Sequence, residues 1–376
     1  VKILGIETSC DETSAAVYET ERGFPGTLKS SIVASQTLLH ARFGGVVPEL
    51  SARAHIERLP AVVSEALNVA GCRAVDLDAI AVTVRPGLLS ALLCGMAYAR
   101  GLAMATGRPL YAVDHVKAHV ASAFLNPTGP DGDDPSTAME GQVPAATGMS
   151  CGRPLSPSDF PVSALVASGG HTLLVTLKSP VDFELIGTTR DDAVGEAFDK
   201  VGQLLGLPFP GGPNVEREAK LGDPAAFRFP IGVIRGSPFD FSFSGLKTAV
   251  LYKLAKMPAR EVRRRRADVA ASFQSAAISA LVDRAVKVVR STGSRVFVLC
   301  GGVAANRALR SAMADALARE GASLCMPPLA YCGDTGAQVA VYAYFLIAAG
   351  AAPASADLDA ETVSELFASA GSAEGG

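Results

Sequence analysis

Short apolar runs broken by polar turns set the rhythm of this chain. Residues 3–6 are apolar, Glu7-Thr-Ser-Cys-Asp-Glu-Thr-Ser14 is polar, and residues 15–18 are apolar again, which predicts two strands joined by a polar turn. The design recurs where residues 163–167 and 173–177 flank the turn Ser168-Gly-Gly-His-Thr172. Two such hairpins, one opening each half, predict a duplicated fold. Between them, residues 77–84 and 110–113 predict strands. Residues 88–105 predict a buried helix rather than a membrane span, because Cys94, Gly95, Tyr98 and Arg100 interrupt the apolar run. The second half predicts helices over 267–290 and 306–320 with a strand over 295–300, and residues 342–349 close the apolar pattern. Alternating strands and helices point to an α/β protein.

Residues 126–161 break this rhythm. Proline and glycine recur and few apolar residues align, so the stretch predicts an insertion or linker between two lobes. Beyond residue 351 the Ala/Ser/Gly-rich, acidic sequence predicts a short helix and a frayed tail. A length of 376 residues exceeds one ordinary core and fits two domains. The formal charge of −3 excludes a uniformly basic surface, so nucleic acid is not the default partner and only a local patch could serve one. The scattered cysteines form no Cys-x-x-Cys pair and fit structural thiols in a reducing compartment. With no signal peptide visible, a cytoplasmic setting is expected, or an organellar matrix had a targeting segment been removed.

Chemistry concentrates in a few places. His115 and His119, in Asp114-His-Val-Lys-Ala-His-Val120, are two of only five histidines. On a helix, positions i and i+4 share a face, so both imidazoles point one way, as a two-point metal chelate requires. Asp334, in Tyr331-Cys-Gly-Asp-Thr-Gly336, is the best third ligand, and mixed nitrogen and oxygen donors suit zinc or iron better than magnesium or calcium. A surface His pair at a helix start is the plain alternative. The zinc-protease motif is absent, since Val116, Lys117 and Ala118 stand where it needs a glutamate.

In Ser168-Gly-Gly-His-Thr172, the glycines permit close backbone approach and exposed N–H groups could cradle a phosphate or carboxylate. A tight hairpin explains the glycines equally well, although His171 adds a donor a plain turn does not need. The strand over 295–300 runs into Gly301-Gly302 and a helix with Asn306 near its start. That is a nucleotide seat or a plain strand-to-helix turn, but not a dinucleotide fingerprint. Asp192, Glu196 and Asp199 fall near one helical face, either solvated or lining a cleft that orients hydroxyls or an amine. Arg260 with Arg263 to Arg266 is the dense basic run, a solvated helix face or a phosphate-contact patch.

Nine motifs in order make the chain similar to the TsaD family, the transferases that make N6-threonylcarbamoyladenosine in tRNA and were formerly called O-sialoglycoprotein endopeptidases. They are Gly5-Ile-Glu-Thr-Ser-Cys-Asp-Glu-Thr-Ser, Gly44-Gly-Val-Val-Pro-Glu-Leu-Ser-Ala-Arg-Ala-His55, the His115/His119 pair, Ser168-Gly-Gly-His-Thr172, Gly195-Glu-Ala-Phe-Asp-Lys200, Phe209-Pro-Gly-Gly-Pro213, Phe241-Ser-Phe-Ser-Gly-Leu-Lys-Thr248, Cys300-Gly-Gly-Val-Ala-Ala-Asn306 and Pro328-Leu-Ala-Tyr-Cys-Gly-Asp334. The resemblance implies an actin-like, sugar-kinase-like (ASKHA) α/β fold, with duplicated RNase H-like domains around a central cleft. Its lobes would be residues 1–125, with helices in 332–350 packing back on them, and residues 162–331. The insertion 126–161 would lie between them and a low-complexity tail would follow over 351–376.

The resemblance also implies that His115, His119 and Asp334 bind one divalent metal ion per subunit, Fe2+ before Zn2+. Ser168, Gly169, Gly170, His171, Thr172, Asp199, Gly212 and Asn306 would hold the substrate threonylcarbamoyl-AMP. Implied partners are tRNA and the proteins of a threonylcarbamoyl-transfer complex, with no membrane. The implied reaction carries the acyl group from a mixed anhydride to N6 of the adenosine 3′ of the anticodon in ANN-reading tRNAs, releasing AMP. No residue is identified as nucleophile or general base. Three departures stand out. Arg85-Pro-Gly87 replaces the usual Gly-Pro-Gly, Glu216 stands where Asp is common, and Cys332-Gly-Asp-Thr335 replaces Cys-Thr-Asp-Asn.

Other classes use the same features differently. An ATP-dependent kinase or ATPase of this fold would bind phosphates at the polar turns, but it holds magnesium through those phosphates and has no use for a His pair. A metalloprotease lacks its glutamate. A non-catalytic scaffold would be expected to lose the metal ligands, and all three are present.

Overall fold

Both halves of the chain follow one plan. The computed structural model describes residues 1–125, 155–355 and 357–367. In the first sheet, β1 (Lys2–Glu7), β2 (Glu12–Glu19) and β3 (Thr27–Ser35) form an antiparallel meander. Strands β4 (Ala79–Arg85) and β5 (Leu110–Asp114) run parallel to β1, in the order β3-β2-β1-β4-β5. In the second, β6 (Val162–Ala167), β7 (Thr172–Ser179) and β8 (Asp182–Thr188) repeat the meander. Strands β9 (Val296–Cys300) and β10 (Ser323–Cys325) lie parallel to β6, in the order β10-β9-β6-β7-β8. Read outward from each meander, the two orders are identical. The sequence pattern showed the first two strands of each meander and missed the third, because β3 and β8 are half-exposed edges without a sustained apolar run.

Helices fill the connections. Between β3 and β4 lie α1 (Thr37–Ala41) and α2 (Pro48–Val69), and α3 (Leu89–Thr106) joins β4 to β5. The short α4 (His115–Ala121) follows β5 directly. Between β8 and β9 come α5 (Val194–Leu204), α6 (Gly211–Ala219), α7 (Ser244–Ala255) and the long α8 (Ala259–Thr292), while α9 (Arg307–Arg319) joins β9 to β10. Last, α10 (Gly336–Ala348) returns to the first sheet.

Strand residues alternate between two covered faces, which is why the strands read as near-continuous apolar runs. Leu4, Ile6, Ala15 and Val17 pack with α2 and α3, whereas Ile3, Ala16 and Tyr18 share a core with α4, α10 and the inner face of the second sheet. On the far side, Leu165, Ala167 and Leu174 pack with α5 to α9. The α4/α10 layer is therefore common to both lobes. Its approach to β1 needs glycine: a Cβ on Gly5 would overlap the Gly336 carbonyl, and one on Gly336 would overlap the backbone of Gly5 and Ala15.

One expectation fails. Helix α3 buries Ala91, Leu92, Gly95, Met96 and Ala99, but Leu89, Leu93 and Met104 are 49, 45 and 85% exposed, so it covers the sheet with one face and is not a buried helix. Of the short helix and frayed tail expected beyond residue 351, residues 357–367 dock on the first lobe and are helical over 365–367. There Leu366 is buried, the Glu361 N–H donates to the Val84 carbonyl at 2.9 Å, and Arg85 pairs with Glu361 and Glu365 at 3.2 and 2.5 Å. Arg85, the cation that departs from the family pattern, anchors this segment. Most of the Pro/Gly-rich insertion (126–154) and the last residues (368–376) lie outside the described residues.

Candidate metal centre and the facing glycine turns

The two histidine candidates owe their positions to one aspartate. Asp114 ends β5 and caps α4, its Oδ1 accepting from the N–H groups of Val116 at 2.9 Å and Lys117 at 3.3 Å. Its Oδ2 accepts from the Ser364 hydroxyl at 2.5 Å and the Glu365 N–H at 3.1 Å. The helix so started turns His115 and His119 the same way, with ring centroids 4.4 Å apart. Asp334, in the turn before α10, reaches both: its Oδ1 lies 3.4 Å from His115 Nε2 and 3.3 Å from His119 Nε2. One donor atom from each of the three falls within 4.8 Å of the others.

His119 is fully buried, and neither ring nitrogen has an aligned hydrogen-bond partner among the described residues. A polar atom left so costs about 1–3 kcal/mol. Two imidazoles and a carboxylate converging on one point fit a borderline divalent ion such as Zn2+ or Fe2+, and the orphaned His119 nitrogen is the observation that makes the fit specific. Burial would depress His115, but Asp334 and Glu7 on either side outweigh it and hold the ring well above its usual range. Burial likewise opposes ionisation of Asp334, and the two histidines overcome it. His119 goes down, through burial and then the neighbouring His115 charge.

The β6–β7 turn faces this cluster. The His171 ring lies 6.5 Å from that of His115, and burial, then His115 and His119, push it down to about 4, so it is neutral at pH 7. Ser168 closes the turn, its N–H donating to the His171 carbonyl at 2.8 Å and its Oγ accepting from the His171 N–H at 3.1 Å. Gly169 and Gly170 are exposed, with open space where a Cβ would stand. The Thr172 hydroxyl accepts from the Val194 N–H at the start of α5 (2.8 Å), and the Gly195 N–H donates to the Ser168 carbonyl at 3.2 Å. From α5, Asp199 accepts from the Gly211 N–H at 2.7 Å, at the start of α6. Burial raises the Asp199 carboxyl despite the Gly211 and Gly212 N–H groups. Gly301, at φ +88°, presses on the Ala167 carbonyl where only glycine fits.

The structure thus joins Ser168 to Thr172, Asp199 and the Gly211-Gly212 turn into one surface. Asn306 is engaged internally at both ends: Oδ1 accepts from the Leu309 N–H at 3.0 Å, capping α9, and Nδ2 donates to Gln274 Oε1 at 2.9 Å. Glu216 stands beside it, accepting from the Arg307 N–H at 3.1 Å.

With this geometry in view, comparison with known proteins is direct. The profile of the tRNA N6-adenosine threonylcarbamoyltransferase family (TsaD) matches residues 27–139 and 145–341. The chain belongs to that family. Among curated proteins of that name, those of Magnetococcus marinus and Sorangium cellulosum are each 46% identical to it, over 343 and 354 residues, covering 90% and 93% of both chains. The transferase also shares its fold with solved structures. Full-length HypF in a phosphate- and nucleotide-bound form superposes with a TM-score of 0.55 at 15% identity, over 92% of this chain and 56% of that one. The T. kodakarensis HypF gives 0.53 at 14% identity, over 93% and 48%. The family match and the duplicated sheets agree with the actin-like, sugar-kinase-like fold expected from the sequence.

Both charged runs are partly paired in the transferase. Asp192, Glu196 and Asp199 form no repelling face: Asp192 precedes α5, Lys200 bridges it and Glu196 at 3.2 and 2.6 Å, Lys247 adds a pair with Asp192 at 2.6 Å, and Asp199 turns to α6. Two of the five arginines of the basic run are paired internally, Arg265 with Asp268 and Arg266 with Glu218, at 3.1 and 2.9 Å. Arg260, Arg263 and Arg264 are exposed. Glu7 and Glu12 were not singled out from the sequence. Glu12 is pushed up to about 9 by burial, then by Asp334 and Asp11. They end β1 and begin β2, and carboxylates flanking this first polar turn were the available signal.

Proposed function

We propose that this transferase carries the threonylcarbamoyl group from threonylcarbamoyl-AMP to N6 of the adenosine 3′ of the anticodon in ANN-reading tRNAs, and that the reaction depends on a divalent metal ion, Fe2+ or Zn2+. The observation that carries this reading is the convergence of His115, His119 and Asp334 opposite the Ser168–Thr172 turn. When bound, the ion would supply Lewis-acid polarisation of the carbamoyl oxygen, where charge develops during acyl transfer. The chain's own residues do the rest. Backbone N–H groups at Gly169 and Gly170, and at the start of α6 near Gly212, suit the adenylate phosphate. His171, neutral at pH 7, offers a hydrogen bond to the acyl end without adding charge. Holding anhydride and amine together supplies much of the rate, since the step needs positioning more than a protein nucleophile.

For the tRNA, exposed Arg260, Arg263 and Arg264 provide local positive charge on a chain of net charge −3. Protein partners of a threonylcarbamoyl-transfer complex belong to this reading. The test is depletion in the source cells followed by mass spectrometry of tRNA nucleosides. Loss of N6-threonylcarbamoyladenosine, restored by the wild type and not by His119→Ala, is expected. Unchanged levels with no paralogue to cover would move an ATPase of the same fold to the front.

A further inference from the structure

Among the described residues, only one of the two candidate histidine ligands has a buried carboxylate behind it. We propose that Glu7 is a positioning residue of the metal centre, fixing His115 so that Nδ1–H points to Glu7 and Nε2 is left free to ligate. This rests on the metal-dependent reading above.

Three adjacent strand ends build the arrangement. In the register of the first sheet, Ile6 of β1 sits beside Val82 of β4, and Thr83 beside Val113 of β5. Glu7, Thr83 and His115 therefore emerge side by side at the carboxyl ends of three parallel neighbours. Glu7 is fully buried, as is Thr83. Its Oε1 accepts from the Ser9 N–H at 2.5 Å, and its Oε2 accepts from the Thr83 hydroxyl at 2.6 Å and lies 3.0 Å from His115 Nδ1. The Ser9 hydroxyl also approaches Nδ1, at 3.3 Å. With two protein donors holding it, the carboxylate cannot swing, and the imidazole it faces inherits that fixed direction. His115 Nε2 then looks to Asp334, 3.4 Å away.

Charge supports the assignment. An isolated buried carboxylate is costly, and it persists where opposite charge and hydrogen bonds compensate it. Glu7 and Asp334 with two neutral imidazoles would balance one divalent cation to zero net charge. The pattern is that of a carboxylate behind a metal-bound imidazole, whose removal typically weakens metal binding ~10–100-fold. His119 has no such support, since its Nδ1 is without a partner among the described residues. Glu7 should therefore act on one ligand only.

The test uses the full-length protein, Zn2+ as probe and a chromophoric chelator as competitor. Glu7→Gln keeps the size and one acceptor oxygen but can also donate to Nδ1, so Zn2+ affinity should fall about tenfold, and Glu7→Ala should lose up to ~100-fold. Thr83→Val, which frees one side of the carboxylate without removing it, should give a smaller loss and guards against a misfolded Glu7 variant. Nitrogen-15 NMR of the histidine-labelled zinc form supplies a readout that a packing role would not move, and five histidines keep it assignable. His115 should show a protonated Nδ1 in the wild type and a lost or shifted Nδ1–H signal in Glu7→Gln, with His119 unchanged. Wild-type affinity in folded Glu7→Gln, or a His115 bound through Nδ1, overturns the role of Glu7 and leaves the metal reading standing. A wild type that does not bind Zn2+, Fe2+ or Co2+ overturns both.

Discussion

The two lobes share a strand order and differ at the carboxyl ends of their strands. In the first, β1, β4 and β5 end on Glu7, beside Thr83 and before His115, so the ligand-bearing groups there are side chains. In the second, the equivalent β6 and β9 end before Ser168-Gly-Gly and at Cys300-Gly-Gly, and what they present is backbone. A side-chain site keeps its chemistry through identity and hydrogen-bonded support. A backbone site keeps it through conformation and the absence of Cβ atoms. One duplicated scaffold thus supports two kinds of recognition, which meet where His171 comes 6.5 Å from His115.

The sharpest way to break the comparison is to remove a side chain from the first lobe. His119→Ala or Asp334→Ala should abolish stoichiometric binding of Zn2+ or Fe2+, read by elemental analysis after dialysis, while circular dichroism stays native. Retained metal in both variants would show that the convergent triad is not the site.

Next comes the second lobe, where adding a side chain should matter more than deleting one. A Cβ on Gly211 would overlap the Asp199 backbone, whereas Gly212 has open space around it. Gly211→Val should destabilise by about 1–3 kcal/mol in denaturant unfolding, as overpacking does. Gly212→Ala should leave stability within ~0.5 kcal/mol and selectively weaken binding of the proposed adenylate. Equal effects of the two would mean that the turn is not shaped by close backbone contact.

The junction between lobes gives a pH signature. His171 falls from its usual 6.5 to about 4 when folded, so the folded chain resists a proton that the unfolded chain takes up. Its contribution is fully present above pH 6.5 and is lost as pH falls towards 4. In metal-free protein, the stability of the wild type should drop more steeply across that window than that of His171→Asn. Parallel curves would place His171 in solvent rather than against the metal cluster.

Much of this was legible in the sequence, for reasons that differ by lobe. The i, i+4 histidines survive translation into structure because α4 is fixed by Asp114 immediately before them. Asp334 could be named from sequence as the best third ligand, but no local pattern reaches across more than two hundred residues to show that it meets both histidines, which the fold brings about. Strands buried on both faces read clearly, while β3, β8 and most of α2 did not, because half-exposed elements dilute their apolar period. Asn306 and the acidic run in 191–199 show the opposite difficulty. Their residue types suggest ligand contacts, and no one-dimensional spacing reveals the internal bonds to Leu309, Gln274, Lys200, Lys247 and Gly211 that hold them in place.

The smallest expected effect tests how far support for the first lobe extends. Asp114 holds α4 with one carboxylate oxygen and receives Ser364 and Glu365 with the other. Ser364→Ala removes the hydroxyl's hydrogen bond to Asp114 and the one it accepts from the Leu366 N–H at 3.3 Å, but leaves the Glu365 N–H in place, so the cost should be about 1–2 kcal/mol. Arg85→Gly, which restores the family's residue, removes pairs with the half-exposed Glu361 and Glu365 and should cost less, roughly 0–1 kcal/mol. Because Oδ1 still caps the helix in both variants, metal affinity should hardly change, while hydrogen exchange over residues 357–367 should quicken. Faster exchange in α4 as well would show that the C-terminal segment is part of what holds His115 and His119 in place. Unchanged exchange in both would mean that packing of Leu366, rather than the polar contacts, seats the segment.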